Sequence, residues 1–110
     1  MSELDAVLFA NEAFYRAFAD REMAAMADVW AAEAPVSCIH PGWGLLEGLD
    51  EVLSSWQAIL SNPDSPAITC LGARAHMQGK VGYVICYEEI EGNYLIATNI
   101  FMREGRRWRL

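Results

Sequence analysis

The sequence predicts an α+β fold in which three helices come first and cover one face of a curved antiparallel sheet. Two observations carry this. Apolar residues recur every three or four positions up to about Pro66 and at every second position beyond it. The alternating segments are also joined by short linkers that each contain glycine, which is hairpin chemistry. A length of 110 residues adds a bound, since it accommodates one core and leaves no room for a second. Residues 1–110 are therefore read as a single domain.

The first helix is predicted over residues 4–19, where Leu4, Val7, Leu8, Asn11, Phe14, Tyr15 and Phe18 form one stripe. Asn11 lies on that stripe, and a buried amide there needs a partner. Met23, Met26, Val29 and Trp30 mark a second helix. It must end before Pro35, because the residue ahead of a proline is disfavoured in helical geometry. A short strand is predicted over 37–40, stopped by the turn signal Pro41-Gly42. Val52, Leu53, Trp56, Ile59 and Leu60 mark a third helix between Gly48 and Asn62-Pro63, with Asp50 expected as its cap and Glu51 in its first turn. Strands are predicted at 67–77, 81–91, 94–103 and 107–110, with Gln78-Gly79, Gly92-Asn93 and Glu104-Gly105 as the linkers. The last strand is short and would leave its neighbour unpaired, so the native chain is expected to continue past Leu110.

Hydrophobic residues make up 54% and charged residues 21%, which argues against disorder. No apolar run reaches the roughly 18 to 20 residues that a membrane helix needs. Fifteen acidic against eight basic residues give a net charge of -7, so nucleic acid is a poor partner. The acidic start MSELDAVLFANEAF lacks the pattern of an export signal, and a cytoplasmic location is expected. Cys38, Cys70 and Cys86 form no CxxC pair and sit among apolar neighbours, so they read as small buried hydrophobes. The four arginines of REGRRWRL read as a solvated edge strand.

Four segments in order, NEAFYRAFADREMAAMADVWA, VSCIHPGW, GLDEVLSSWQAI and ATNIFMREGRRWRL, resemble the superfamily of ketosteroid isomerase and nuclear transport factor 2. Within it the chain is most similar to the small bacterial SnoaL-like proteins. The resemblance implies a cone with an apolar pocket at its open end and a homodimer through the outer face of the sheet. It implies no single reaction, because this cone hosts isomerases, dehydratases, cyclases, hydrolases and plain binding modules. The isomerase's base position corresponds to His40, its tyrosine to Phe14 or Tyr15, and its acidic donor to a position at or near Asn99. The carboxylate pair of that enzyme is thus absent, and steroid isomerase activity is not implied.

Chemistry remains available to the residues that are present. An imidazole at His40 can exchange a proton near neutrality, and Tyr15 and Asn99 can donate to a carbonyl oxygen. The alternative for His40 is a hydrogen bond to a turn carbonyl. Phe14, Trp30, Trp43, Trp56 and Phe101 are candidate ligand-binding rings. Trp30 and Trp56 also suit a core, and Trp43, just after Pro-Gly, suits the pocket mouth. Strand parity puts Leu95, Ala97, Asn99 and Phe101 on one face and Tyr94, Ile96, Thr98 and Ile100 on the other. His76 reads as a surface residue, and Glu88, Glu89 and Glu91 as a solvated rim. Two histidines without a third ligand at fixed spacing do not make a metal site, and no cofactor is expected. The expected partner is a small apolar or aromatic ligand. The leading reading is a ligand-binding protein. An isomerase or lyase with His40 as base, and a homodimeric assembly module, are the alternatives.

Overall fold

The computed structural model describes residues 2–110. Helix α1 spans Glu3–Asp20, α2 Met23–Val29 and α3 Leu49–Ser61. A two-stranded ribbon of β1 (Ser37–Cys38) and β2 (Leu46–Glu47) lies between α2 and α3. Four antiparallel strands follow in sequential order: β3 (Thr69–Gln78), β4 (Val81–Ile90), β5 (Asn93–Glu104) and β6 (Arg107–Arg109). This is the α+β arrangement that the change of period predicts. No helix among the described residues is long and apolar enough to cross a membrane.

Local chemistry sets the helix ends. The Ser2 hydroxyl accepts the Asp5 amide at 3.1 Å and starts α1. The expected cap of α3, Asp50, lies inside the first turn instead, and Gly48 at φ 91° is the N-cap. Asp50 and Glu51 there face the positive end of the helix dipole. The first strand closes at Cys38, two residues short of the expected end, and its partner β2 has too few residues to show a period.

Every turn of the meander falls one residue from its expected place. At Glu91-Gly92 both residues adopt positive φ, 50° and 81°, a geometry that glycine takes at little cost. A register shift between Leu71 and Arg74 bends β3 against β4, with Gly72 at φ 62° inside it. The larger core gathers Phe14, Phe18, Met26, Trp30, Val52 and Trp56 between the helices and the sheet. A smaller core packs Val7 of α1 onto Val84 and Phe101. The expectation that Phe101 lines the pocket is therefore not met, because its ring is wholly buried under the N-terminal half of α1.

The short final strand is tied to the helical layer. Glu104 accepts the backbone amides of Ala32, Glu33 and Ala34 at 2.9–3.0 Å, and Arg107 pairs with Asp28. Leu110 exchanges backbone hydrogen bonds with Val29 and Ala31. β6 pairs with β5 only from Met102 to Glu104. Among the described residues, β5 from Asn93 to Phe101 is consequently hydrogen-bonded on its β4 side alone.

Candidate functional site

A cavity of about 1310 Å³ lies between the helix-covered face of the sheet, α1, and the segment running from β1 to Trp43. Its walls are mostly apolar and strongly aromatic. Phe14 stands edge-on to Tyr15, Trp30 and Trp56 at centroid distances of 4.8, 6.3 and 5.5 Å. Such T-shaped contacts favour the quadrupoles of the rings and hold the walls rigid. Trp43 is nearly half exposed and packs on His40 at 4.9 Å, as a ring at the mouth would. The cavity also wraps the free edge of β5, so Ile96 and Ile100 border it although their side chains belong to the outer face.

His40 is buried, and its ring is fixed from two sides. Trp56 meets it edge-on at 4.7 Å, and its Nε2 lies 2.8 Å from Ser55 Oγ. Ser55 has one hydroxyl proton, and the Val52 carbonyl 2.6 Å away accepts it. The Ser55 oxygen must then accept from His40 Nε2–H, which leaves the lone pair on Nδ1. Burial lowers the His40 pKa, so the ring is neutral at pH 7 and Nδ1 is a proton acceptor. The expected alternative of a turn carbonyl partner does not occur. Ser55 holds the ring, and it was missed because a serine within an apolar helical stripe carries no motif.

Tyr15 and Asn99 come together, as expected, within a longer chain of hydrogen bonds. Asn99 Nδ2 donates to Tyr15 Oη at 3.0 Å and to Asn11 Oδ1 at 2.9 Å. Asn11 thereby finds the partner its buried position requires. Tyr15 donates its own proton to Glu88 Oε2 at 2.5 Å, and Cys86 Sγ lies 3.3 Å from the same hydroxyl. Burial first, then these partners, push the Tyr15 pKa far above the ordinary tyrosine value, so it stays protonated. Glu88 is not a rim residue. It alternates inward with Val84 and Cys86 on β4, faces the cavity, and was mistaken for solvated because it stands beside Glu89 and Glu91. His76, in contrast, is exposed as expected and stacks on Tyr83.

Burial also pushes the Cys38 thiol up to about 11 and the Cys70 thiol up to about 12, and the nearby Glu88 charge adds to both. Neither is a thiolate nucleophile at neutral pH. Among the described residues no three His, Cys, Asp or Glu side chains converge on a common point that could hold a metal ion. The deep polar groups can therefore bind and orient a molecule, and at His40 Nδ1 accept a proton.

Residues 7–110 match the family model of the SnoaL-like domain. The chain belongs to the SnoaL-like family. Its fold is the nuclear transport factor 2-like one, also called cystatin-like. The SnoaL-like chain is 28% identical to a proposed dehydratase of the nuclear transport factor 2-like family from Streptomyces avermitilis, covering 97% of this chain and 89% of that one with a TM-score of 0.86. It is also 28% identical to a proposed association domain of a calcium/calmodulin-dependent protein kinase type II from Thiobacillus denitrificans, covering 91% and 85% with a TM-score of 0.77. Among curated proteins, F-box protein SKIP8 of Arabidopsis thaliana is 27% identical over 107 residues, which is 96% of this chain and 46% of that protein. The SnoaL-like chain thus spans about half the length of that relative.

Proposed function

We propose that this SnoaL-like chain binds a small, flat, mostly apolar organic molecule in the aromatic cavity. The observation that carries the reading is the cavity itself, with mostly apolar, aromatic walls and polar side chains that include His40 and the Tyr15–Asn99–Glu88 cluster. That division of labour is characteristic of sites in which area supplies affinity and a few polar atoms fix orientation. Phe14, Trp30, Trp43 and Trp56 are the rings assigned to contact the ligand.

A second reading, proton transfer in an isomerase or lyase, draws on one specific feature. His40 Nδ1 is unprotonated and borders the cavity, as a general base must. The likeness to the Streptomyces protein labelled a dehydratase points the same way. Against it, Tyr15 and both amide protons of Asn99 are already engaged, so neither has a free donor for a developing oxyanion.

The test uses N-phenyl-1-naphthylamine, a neutral probe whose fluorescence rises in apolar surroundings. Wild-type protein is expected to enhance and saturate the signal. Ala97→Trp, which puts a large ring on the half-buried cavity-lining position of β5, is expected to abolish the signal while circular dichroism stays native. Equal enhancement by both proteins would rule out the cavity as the site.

A further inference from the structure

We propose that the ligand carries a cationic or multiply donating nitrogen, an ammonium or amidinium on an apolar aromatic body, which is held by Glu88. The inference rests on the cavity reading above and specifies the chemical class that the cavity takes.

It follows from the hydrogen-bonding capacity left over once the internal bonds are counted. Tyr15 gives its one proton to Glu88 Oε2. Asn99 gives its two amide protons to Asn11 and Tyr15. His40 gives its Nε2 proton to Ser55. What these groups still offer is acceptors: Glu88 Oε1 and Asn99 Oδ1, for which no partner is found among the described residues, whereas His40 Nδ1 has the Cys38 thiol 3.8 Å away. The indole N–H groups of Trp30 and Trp56 have no acceptor among the described residues, but both nitrogens are buried within the aromatic cluster.

Charge points the same way. Among the described residues, the charged side chains lining the cavity are Glu88 and Asp64, both acidic, and no lysine or arginine lines it. The Glu88 carboxylate faces the cavity with no cation beside it among the described residues, and an incoming ammonium would give it a charge-assisted bond. The aromatic walls add favourable faces for the same cation. An anionic ligand would meet the Glu88 charge with no cation to offset it. A neutral carbonyl ligand would find no free proton on Tyr15 or Asn99.

Three probes with one apolar body and different charge separate these cases: 2-naphthylethylamine, 2-naphthylethanol and 2-naphthylacetate, titrated calorimetrically at pH 7 into wild type and Glu88→Gln. The glutamine keeps an oxygen for Tyr15 and removes the charge. The amine is expected to bind wild type about tenfold or more tighter than the alcohol, with the acid weakest. In Glu88→Gln the amine is expected to fall to the level of the alcohol, whose affinity is unchanged. Alcohol or acid binding as tightly as amine in wild type would overturn the inference and leave the cavity reading standing, as would an amine preference that survives in Glu88→Gln. Failure of all three to bind would overturn both.

Discussion

A single serine proton decides the chemistry available at His40. Because Ser55 gives that proton to Val52, the imidazole is locked with its lone pair on Nδ1. We expect Ser55→Ala to release this lock, so that nitrogen-15 spectra of the His40 ring change from a single Nε2–H tautomer to a mixture. An unaltered spectrum would show that something other than Ser55 fixes the ring. His40 also gives stability a pH dependence whose direction is set by burial. Its folded pKa is depressed, so the unfolded chain takes up a proton at higher pH than the folded one. This contribution is full above about pH 6.5 and is lost as pH falls through the folded value. His40→Gln should therefore show a flatter fall in urea midpoint between pH 7.5 and 5.5 than wild type. His40, Tyr15 and Asn99 were legible because each stands on a segment that carries the family pattern. Glu88 was equally available from the parity it shares with Val84 and Cys86, but an acidic run next to a glycine turn favours the solvent-facing reading.

Between α1 and β4 the packing leaves no slack at Gly82. A Cβ built there would stand 2.7 Å from Val7 Cγ2, closer than carbon atoms tolerate. Glycine is required at this point so that the N-terminal half of the helix can settle onto the sheet. We expect Gly82→Ala to cost about 1–3 kcal/mol in denaturant unfolding. The same change in a Val7→Ala background should cost less, giving a coupling of about 1 kcal/mol in a double-mutant cycle. Strict additivity would mean that the helix moves aside freely. The long elements were legible because each repeats its period at least twice. The ribbon of β1 and β2 was not, since two residues per strand carry no alternation and owe their pairing to the tertiary position of the chain. Turn positions slipped by one residue for a related reason: glycine marks a turn without saying which of its corners it occupies, as Glu91 in the left-handed region shows.

At the scale of the whole molecule, the outer face of the sheet is unusually apolar. Tyr94, Ile96 and Ile100 are 62%, 71% and 57% exposed, with Ile85 and Tyr87 beside them. An exposed apolar patch of this size marks an association surface, and its isologous use by two copies is the proposal that sedimentation tests. Sedimentation at micromolar concentration is expected to report a dimer for wild type and a monomer for Ile96→Glu combined with Tyr87→Glu. A wild-type monomer would remove the sheet face as an interface. The overall architecture was the most legible level of all, because a change of period along the chain is a global signal that no single residue can blur. The one-sided pairing of β5 has a kinetic side. β4 is flanked by strands on both sides, whereas the stretch from Leu95 to Ile100 borders the cavity with one row of peptide groups unclaimed among the described residues. A guest passing that border displaces water but ruptures no ladder, so loading and unloading can proceed without any part of the sheet coming apart.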